Sequence, residues 1–338
     1  MRHPTARLAL LLLAFATTNS TAQDLLLVGN KTDDTLWQLS LDDGTRVREL
    51  ASGAGPHEIA VSPDGRVAVV TDYGQEEPGR SLTLVDVATG TVLRSIDLGG
   101  HRRPHGVRFL PDGDVLVTTE RSHALLKVDL DAGEVVQAID VGDGLGHMVA
   151  LSRDGAIAYV SKIVAGAVVR VDLAEGRVTH ERPAGKGAEG IEVAPDGTVW
   201  VTNRGEDTVT VHDPDTLEVL ATLASEGFPI RVVFTPDGRH ALVSNATAAT
   251  LSVFDVATRA PVATVALKPQ GEAFRDTMLG RDALPIGIAV DPAAPRAYVA
   301  ISGANRIAVV DTAEWKVVDA WETGNEPDAL GIVRGGAR

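Results

Sequence analysis

The chain has 338 residues, with 46 acidic against 31 basic side chains, a formal net charge of -15 and no cysteine. Such an acidic surface repels phosphate backbones and anionic lipid, so nucleic acid is not an expected partner. Without cysteine the fold must close without disulfides, and the N-terminus cannot carry a thioether-linked lipid.

Residues 1–22 combine a basic start (Arg2, Arg7), an apolar run from Leu8 to Ala16 and a small-residue end, Ser20-Thr21-Ala22. That pattern predicts a signal peptide cleaved before Gln23, and the apolar run is too short to span a bilayer. No other membrane span is expected. Processing would leave 316 residues with 29 basic and 46 acidic side chains, a net charge of -17. The mature protein is expected in the periplasm or outside the cell, as a monomer and as one domain over residues 23–338.

The first predicted element is a strand, Leu25 to Gly29, followed by a repeating unit that opens with "GPHEIAVSPDG" at residues 55–65. Its turn recurs as Leu110-Pro111-Asp112-Gly113, Ser152-Arg153-Asp154-Gly155, Ala194-Pro195-Asp196-Gly197 and Thr235-Pro236-Asp237-Gly238, with a worn copy at Asp291-Pro292. The aspartates 64, 112, 154, 196 and 237 lie 48, 42, 42 and 41 residues apart, a spacing that suits four-stranded propeller blades. Within a repeat the apolar pattern alternates at strand period. Residues 190–224 divide into strands A (Ile191 to Ala194), B (Val199 to Thr202), C (Thr208 to His212) and D (Val219 to Leu223). An aspartate stands where C turns into D in six copies, Asp86, Asp129, Asp172, Asp213, Asp255 and Asp311, and is expected to accept backbone N–H groups there.

Two connections are long: "YGQEEPGR" (Tyr73 to Arg80), predicted as a B-to-C loop, and an insertion at Lys268 to Pro285. Both are expected on one face of the disc, the usual place for a binding surface. The chain ends on "EPDALGIV", a strand A without followers, whereas the first repeat lacks its strand A. Pairing the two closes a ring and removes its edges. The expectation is an all-β, seven-bladed propeller of four-stranded antiparallel blades, its C-terminal innermost strand pairing with the N-terminal strands.

A repeating fold can be aligned with itself. The first position of strand A reads Asp328, His57, His105, His147, Glu189, Ile230, Ile286 around the ring. The end of strand B reads Asn30, Asp72, Glu120, Lys162, Asn203, Asn245, Ile301. Both sets are expected to line one mouth of the central channel. His57, His105, His147 and Glu189 suit one divalent ion, with zinc, copper, iron and manganese all admissible, or else form a solvated polar lining. Glu120 is a candidate base, and Lys162 and Arg231 are candidates for steadying negative charge. Asn30, Asp72, Asn203, Ile230, Asn245, Ile286, Ile301 and Asp328 are expected to line a ligand pocket, with the insertion walling its isoleucine side.

The segments "VWVTNRGEDTVTVHDPDT", "AYVSK" and "ALVSN", with the Pro-Asp-Gly turns, resemble the YVTN family of seven-bladed propellers, which includes surface-layer and YncE-type periplasmic proteins. The resemblance covers residues 24–335 and implies the fold more strongly than any activity. The Trp-Asp dipeptide of WD40 blades is missing from the repeats. "EGIEVAPDGTVWVTN" is also similar to repeats of propeller lactonases and streptogramin lyases, but the early Glu-Gly-Pro of gluconolactonases is replaced here by "DLLLVGNKT". Two functions follow as expectations: capture of a small molecule, metal ion or envelope protein at the mouth, or metal-dependent hydrolysis or elimination there. Gly185-x-Gly187-x-x-Gly190 leads into a strand and is read as a loop, "DLDAG" (Asp129 to Gly133) is read as a C-to-D turn, and no Gly-x-Ser-x-Gly elbow occurs.

Overall fold

A computed structural model describes residues 23–335, so the expected signal peptide lies outside the described residues. Seven four-stranded antiparallel sheets are arranged as blades, and blade 1 is built from both ends of the chain. Its strand A is Pro327–Val333 and its strands B, C and D are Leu25–Asn30, Thr35–Ser40 and Arg46–Ala51. The A strands of blades 2 to 7 begin at Pro56, Pro104, Gly146, Ala188, Pro229 and Pro285. The ring thus closes as its sequence pattern requires. An ion pair of Arg334 with Asp24 and Asp291 fastens the seam.

Strand alternation sends one set of side chains to each interblade layer. Leu25, Leu27 and Leu36 of blade 1 pack against Ala68, Val70 and Val85 of blade 2, and similar layers follow between the other neighbours. The Asp-Gly hairpin turns need a residue with positive φ, and Gly65, Gly155 and Gly238 supply φ of 70, 70 and 71° where a Cβ would be strained. The C-to-D aspartates do what their position predicts. Asp213 Oδ1 accepts the N–H groups of Asp215 (3.0 Å) and Thr216 (2.9 Å), and Asp86, Asp129, Asp172, Asp255 and Asp311 repeat the arrangement.

The connection expected as a loop at Tyr73 to Arg80 is mostly strand. Strand B of blade 2 continues through Val67–Gly74 and strand C resumes at Pro78, with Gly74 paired to Pro78. The insertion does cross the blade 6–7 side, between Ala266 and Pro285, and no helix among the described residues is long and apolar enough to cross a membrane.

The Thr216 amide and hydroxyl hold the Asp213 carboxyl below its ordinary value. A depressed folded-state pKa stabilises above the unfolded value near 3.8 and ceases to do so as pH falls through the folded value. Asp213→Asn should therefore lower Tm by a few degrees at pH 7, and the gap to wild type should close toward pH 2 in circular-dichroism melts. A gap that persists unchanged in acid would contradict the assigned role.

Candidate active site at the channel mouth

Every blade carries the same device at the start of strand A. The A-to-B register slips there, between Pro56 and Ile59 in blade 2, Pro104 and Val107 in blade 3, and Gly146 and Val149 in blade 4. Such bulges re-aim side chains. Here the slip lets consecutive residues such as His57 and Glu58 both reach the channel. The freed amide is taken by a hydroxyl of strand B: Gly106 N–H donates to Thr118 Oγ1 (2.9 Å), and Gly190 N–H to Thr202 Oγ1 (2.8 Å). The same hydroxyl donates onward to the next blade. Thr118 reaches the carbonyl of His147, Ser161 that of Glu189, Thr202 that of Ile230 (2.9 Å) and Ser244 that of Ile286 (2.7 Å). In blades 3 to 6 the Thr or Ser before the end of strand B therefore positions the first channel residue of its neighbour, whereas Thr71 of blade 2 takes the Glu58 amide (2.9 Å) and makes no bond to the next blade.

This scaffold brings His57, His105, His147, Glu189, Glu120, Arg231 and Asp328 together. A chain of contacts encircles the mouth from blade 2 to blade 6 and back. The Tyr73 hydroxyl donates to Glu120 Oε2 (2.6 Å), and His147 sits between Glu120 Oε1 (Nδ1, 2.6 Å) and Glu189 Oε1 (Nε2, 2.9 Å). Arg231 joins Glu189 Oε1 (3.5 Å) to Glu58 Oε1 (2.5 Å), closing on blade 2. Arg204 reaches Glu189 Oε2 at 2.7 Å and Lys31 lies 3.6 Å from Asp328.

Inside the circle are the two histidines without hydrogen bonds. His105 is 0% exposed and neither ring nitrogen has a partner, while His57 Nδ1 approaches Asp328 Oδ2 at 3.2 Å without the alignment of a hydrogen bond. The His57 and His105 rings meet edge-on at 4.3 Å between centroids, and His105 and His147 at 3.6 Å. His105, Glu120 and His147 offer ligand atoms within 4.8 Å of one another, a group that could hold a metal ion.

Electrostatics divides the three imidazoles. Burial, then the neighbouring Lys31, Arg231 and His147 charges, holds His57 well below its ordinary pKa, and burial with His147 and His57 does the same to His105. Burial also opposes charge on His147, but Glu189 and Glu120 outweigh it and raise the group to about 9. Burial works against ionised Glu189, which His147, Arg204 and Arg231 nonetheless hold at about 2, and burial pushes Asp328 up to about 6. Neutral and cationic imidazoles thus stand side by side in one pocket. Below the Glu58–Arg231 pair the channel opens into a cavity of about 230 Å³ walled by Ile59, Met148, Ile191, Val232, Ile288 and Leu330.

The second expected ring is corrected by one residue. Thr119, not Glu120, occupies the position of Asn203, because Pro104 pairs with Thr119 as Ala188 pairs with Asn203. In a strand one residue decides the face. The side chains at the true strand ends turn back into their blades: Asn30 bonds Thr35, Asp72 accepts from Ser81 and Thr83, Asn203 bonds Thr208 and Thr210, and Asn245 bonds Thr250 and Ser252. Lys162 donates to Val141 O and Glu181, away from the histidines. Ile301 is packed in the layer between blades 6 and 7, and Ile230 and Ile286 are covered by Leu279 and Leu284 of the insertion. The expected apolar ligand wall is a packed plug. The residue one later reaches the site in four blades, as Lys31, Tyr73, Glu120 and Arg204. Sequence reasoning missed Lys31, Glu58, Tyr73 and Arg204, although aligning "VTTE" on "VTNR" would have exposed the slip.

Residues 100–269, half of the chain, match the family described as "Lactonase, 7-bladed beta-propeller". The chain belongs to this lactonase-type propeller family. Among solved structures, hydrazine synthase of Kuenenia stuttgartiensis is 20% identical with a TM-score of 0.69, over 84% of this chain and 96% of that one. A functionally unknown protein from Desulfotomaculum acetoxidans DSM 771 is 16% identical with a TM-score of 0.76, over 92% and 99%. At these identities the likeness shows the fold. No curated protein sequence matches the chain significantly.

For this member of the lactonase-type family, Thr118→Val should leave the His147 carbonyl and the Gly106 amide unpaired and cost roughly 1–3 kcal/mol in urea unfolding. Thr118→Ser, which keeps the hydroxyl, should recover most of that loss. Equal stability of the valine variant and wild type would refute the bridge.

Proposed function

We propose that the protein is a metal-dependent hydrolase that opens a lactone or similar small ester at the channel mouth. The observation that carries this reading is His105, fully buried with both ring nitrogens unpartnered beside Glu120 and His147. A buried polar group without a partner is costly unless a ligand completes it. Two imidazoles and a carboxylate form a donor set used by catalytic zinc, and His147, cationic with its ring nitrogens on Glu120 and Glu189 when no ion is bound, would give up its proton and one of those contacts on joining that set. Imidazole also suits copper and iron, and the ion would supply Lewis acidity toward an ester carbonyl and water.

The remaining groups complete the chemistry. His57, kept neutral by burial and facing Asp328, is placed to take a proton from the attacking water at its free ring nitrogen. Arg204 and Lys31 stand at the rim to balance negative charge as the carbonyl oxygen gains it. The family membership supports ring opening. The YVTN-type likeness of the repeats and an exported location are part of the same reading, and processing before Gln23 can be read by N-terminal sequencing of material from the cell envelope.

Metal analysis of untagged mature protein should find about one divalent ion per chain. His105→Ala and Glu120→Gln should lose it while still folding, and chelation should abolish turnover of simple lactones. Metal-free wild type that still hydrolyses lactones would replace the ion with acid–base work by His57 and His147. Stoichiometric ion with no turnover across lactones and esters would favour ligand or metal capture instead.

A further inference from the structure

We propose that Tyr73 is a positioning residue that presents Glu120 to the ion, an inference that rests on the metal reading above. Blade 2 is built to deliver this side chain. Its strands B and C have 8 and 9 residues where most blades use 5 or 6, and the extension carries Tyr73 over the mouth. Arg103 of blade 3 clamps the extension from outside. Its guanidinium donates to the carbonyls of Tyr73 (3.3 Å), Gly74 (3.2 Å) and Gln75 (3.0 Å) and lies 4.6 Å from the Tyr73 ring centroid. The ring itself stacks on His57 at 4.6 Å and 26°. Backbone, ring and hydroxyl are therefore each held by a different partner.

The consequence falls on Glu120. The phenol engages Oε2 at 2.6 Å and fixes the carboxylate so that Oε1, which contacts His147, is the oxygen presented toward the ion position. Outer contacts of this kind orient a ligand and restrict it to one oxygen. No other side chain among the described residues is hydrogen-bonded to Glu120 Oε2.

The test is zinc affinity of the full mature chain, by competition with a chromophoric chelator, for wild type, Tyr73→Phe and Tyr159→Phe. The control tyrosine donates to Pro214 O (2.9 Å) away from the mouth. Tyr73→Phe should weaken zinc binding about 10–100-fold and shift the visible spectrum of the cobalt-loaded protein, with Tm near wild type. Tyr159→Phe should leave affinity unchanged. Arg103→Gln, which loosens the extension without removing the phenol, should weaken zinc binding to a smaller degree, and it stands in if the first variant does not fold. Wild-type affinity in both Tyr73→Phe and Arg103→Gln overturns the role of Tyr73 alone. Equal losses in the two tyrosine variants also overturn it, because they report general destabilisation. A wild-type chain that takes up no zinc overturns the metal reading and this inference with it.

Discussion

The hydroxyl that bridges one blade to the next is the interaction that sets the His147 and Glu189 side of the site and the isoleucines beyond it. Thr118, Ser161, Thr202 and Ser244 each accept the amide released by the bulge in their own strand A and donate to the carbonyl of the first channel residue in the next blade. A bulge alone would leave a buried amide without a partner, at a cost comparable to a lost hydrogen bond. Satisfying it with a hydroxyl that also donates turns a local irregularity into interblade registry. Blades 1 and 7 have Gly29 and Ala300 at this place, Thr71 of blade 2 accepts the Glu58 amide without reaching the next blade, and Ser302 reaches Pro327 O at the seam.

Given that common frame, function comes from breaking the symmetry. The scaffold aims seven first-position side chains at one mouth, and the chain places three imidazoles and two carboxylates on five consecutive blades and isoleucines on the other two. The apolar sector is sealed by the insertion, which leaves charged groups concentrated on the opposite side. There the carboxylates and cations alternate, Glu120, His147, Glu189, Arg231, Glu58, so each buried charge has an opposite neighbour. Buried charge is tolerated when it is paired in this way. His105 and His57 are the members left over, with ring nitrogens that no side chain satisfies.

Much of this was legible in one dimension. A period near 42 residues, a turn that demands glycine and two incomplete ends dictate a closed ring of blades. The first-position residues could be read by counting, because that place is anchored to a turn of constant length. Glu120 was found for the wrong reason. The strand-end position was counted one residue late in blade 3 alone, so a channel carboxylate was placed in a row of residues that bond within their blades. Asn203 and Lys162 look like channel polar groups in sequence and are blade fasteners in space. Nothing in the letters distinguishes the two, since side-chain direction in a strand changes with every residue.

The sequence by itself determined the blade count, the mode of closure, the turn aspartates and the histidine sector, all consequences of periodicity and short-range hydrogen bonding. Only the tertiary structure decided which polar residues face the channel, that Tyr73 and Arg204 belong to the site, and that His147 is shared between Glu120 and Glu189. Those facts depend on strand register across blades and on contacts between residues tens of positions apart, and chain spacing carries no record of either.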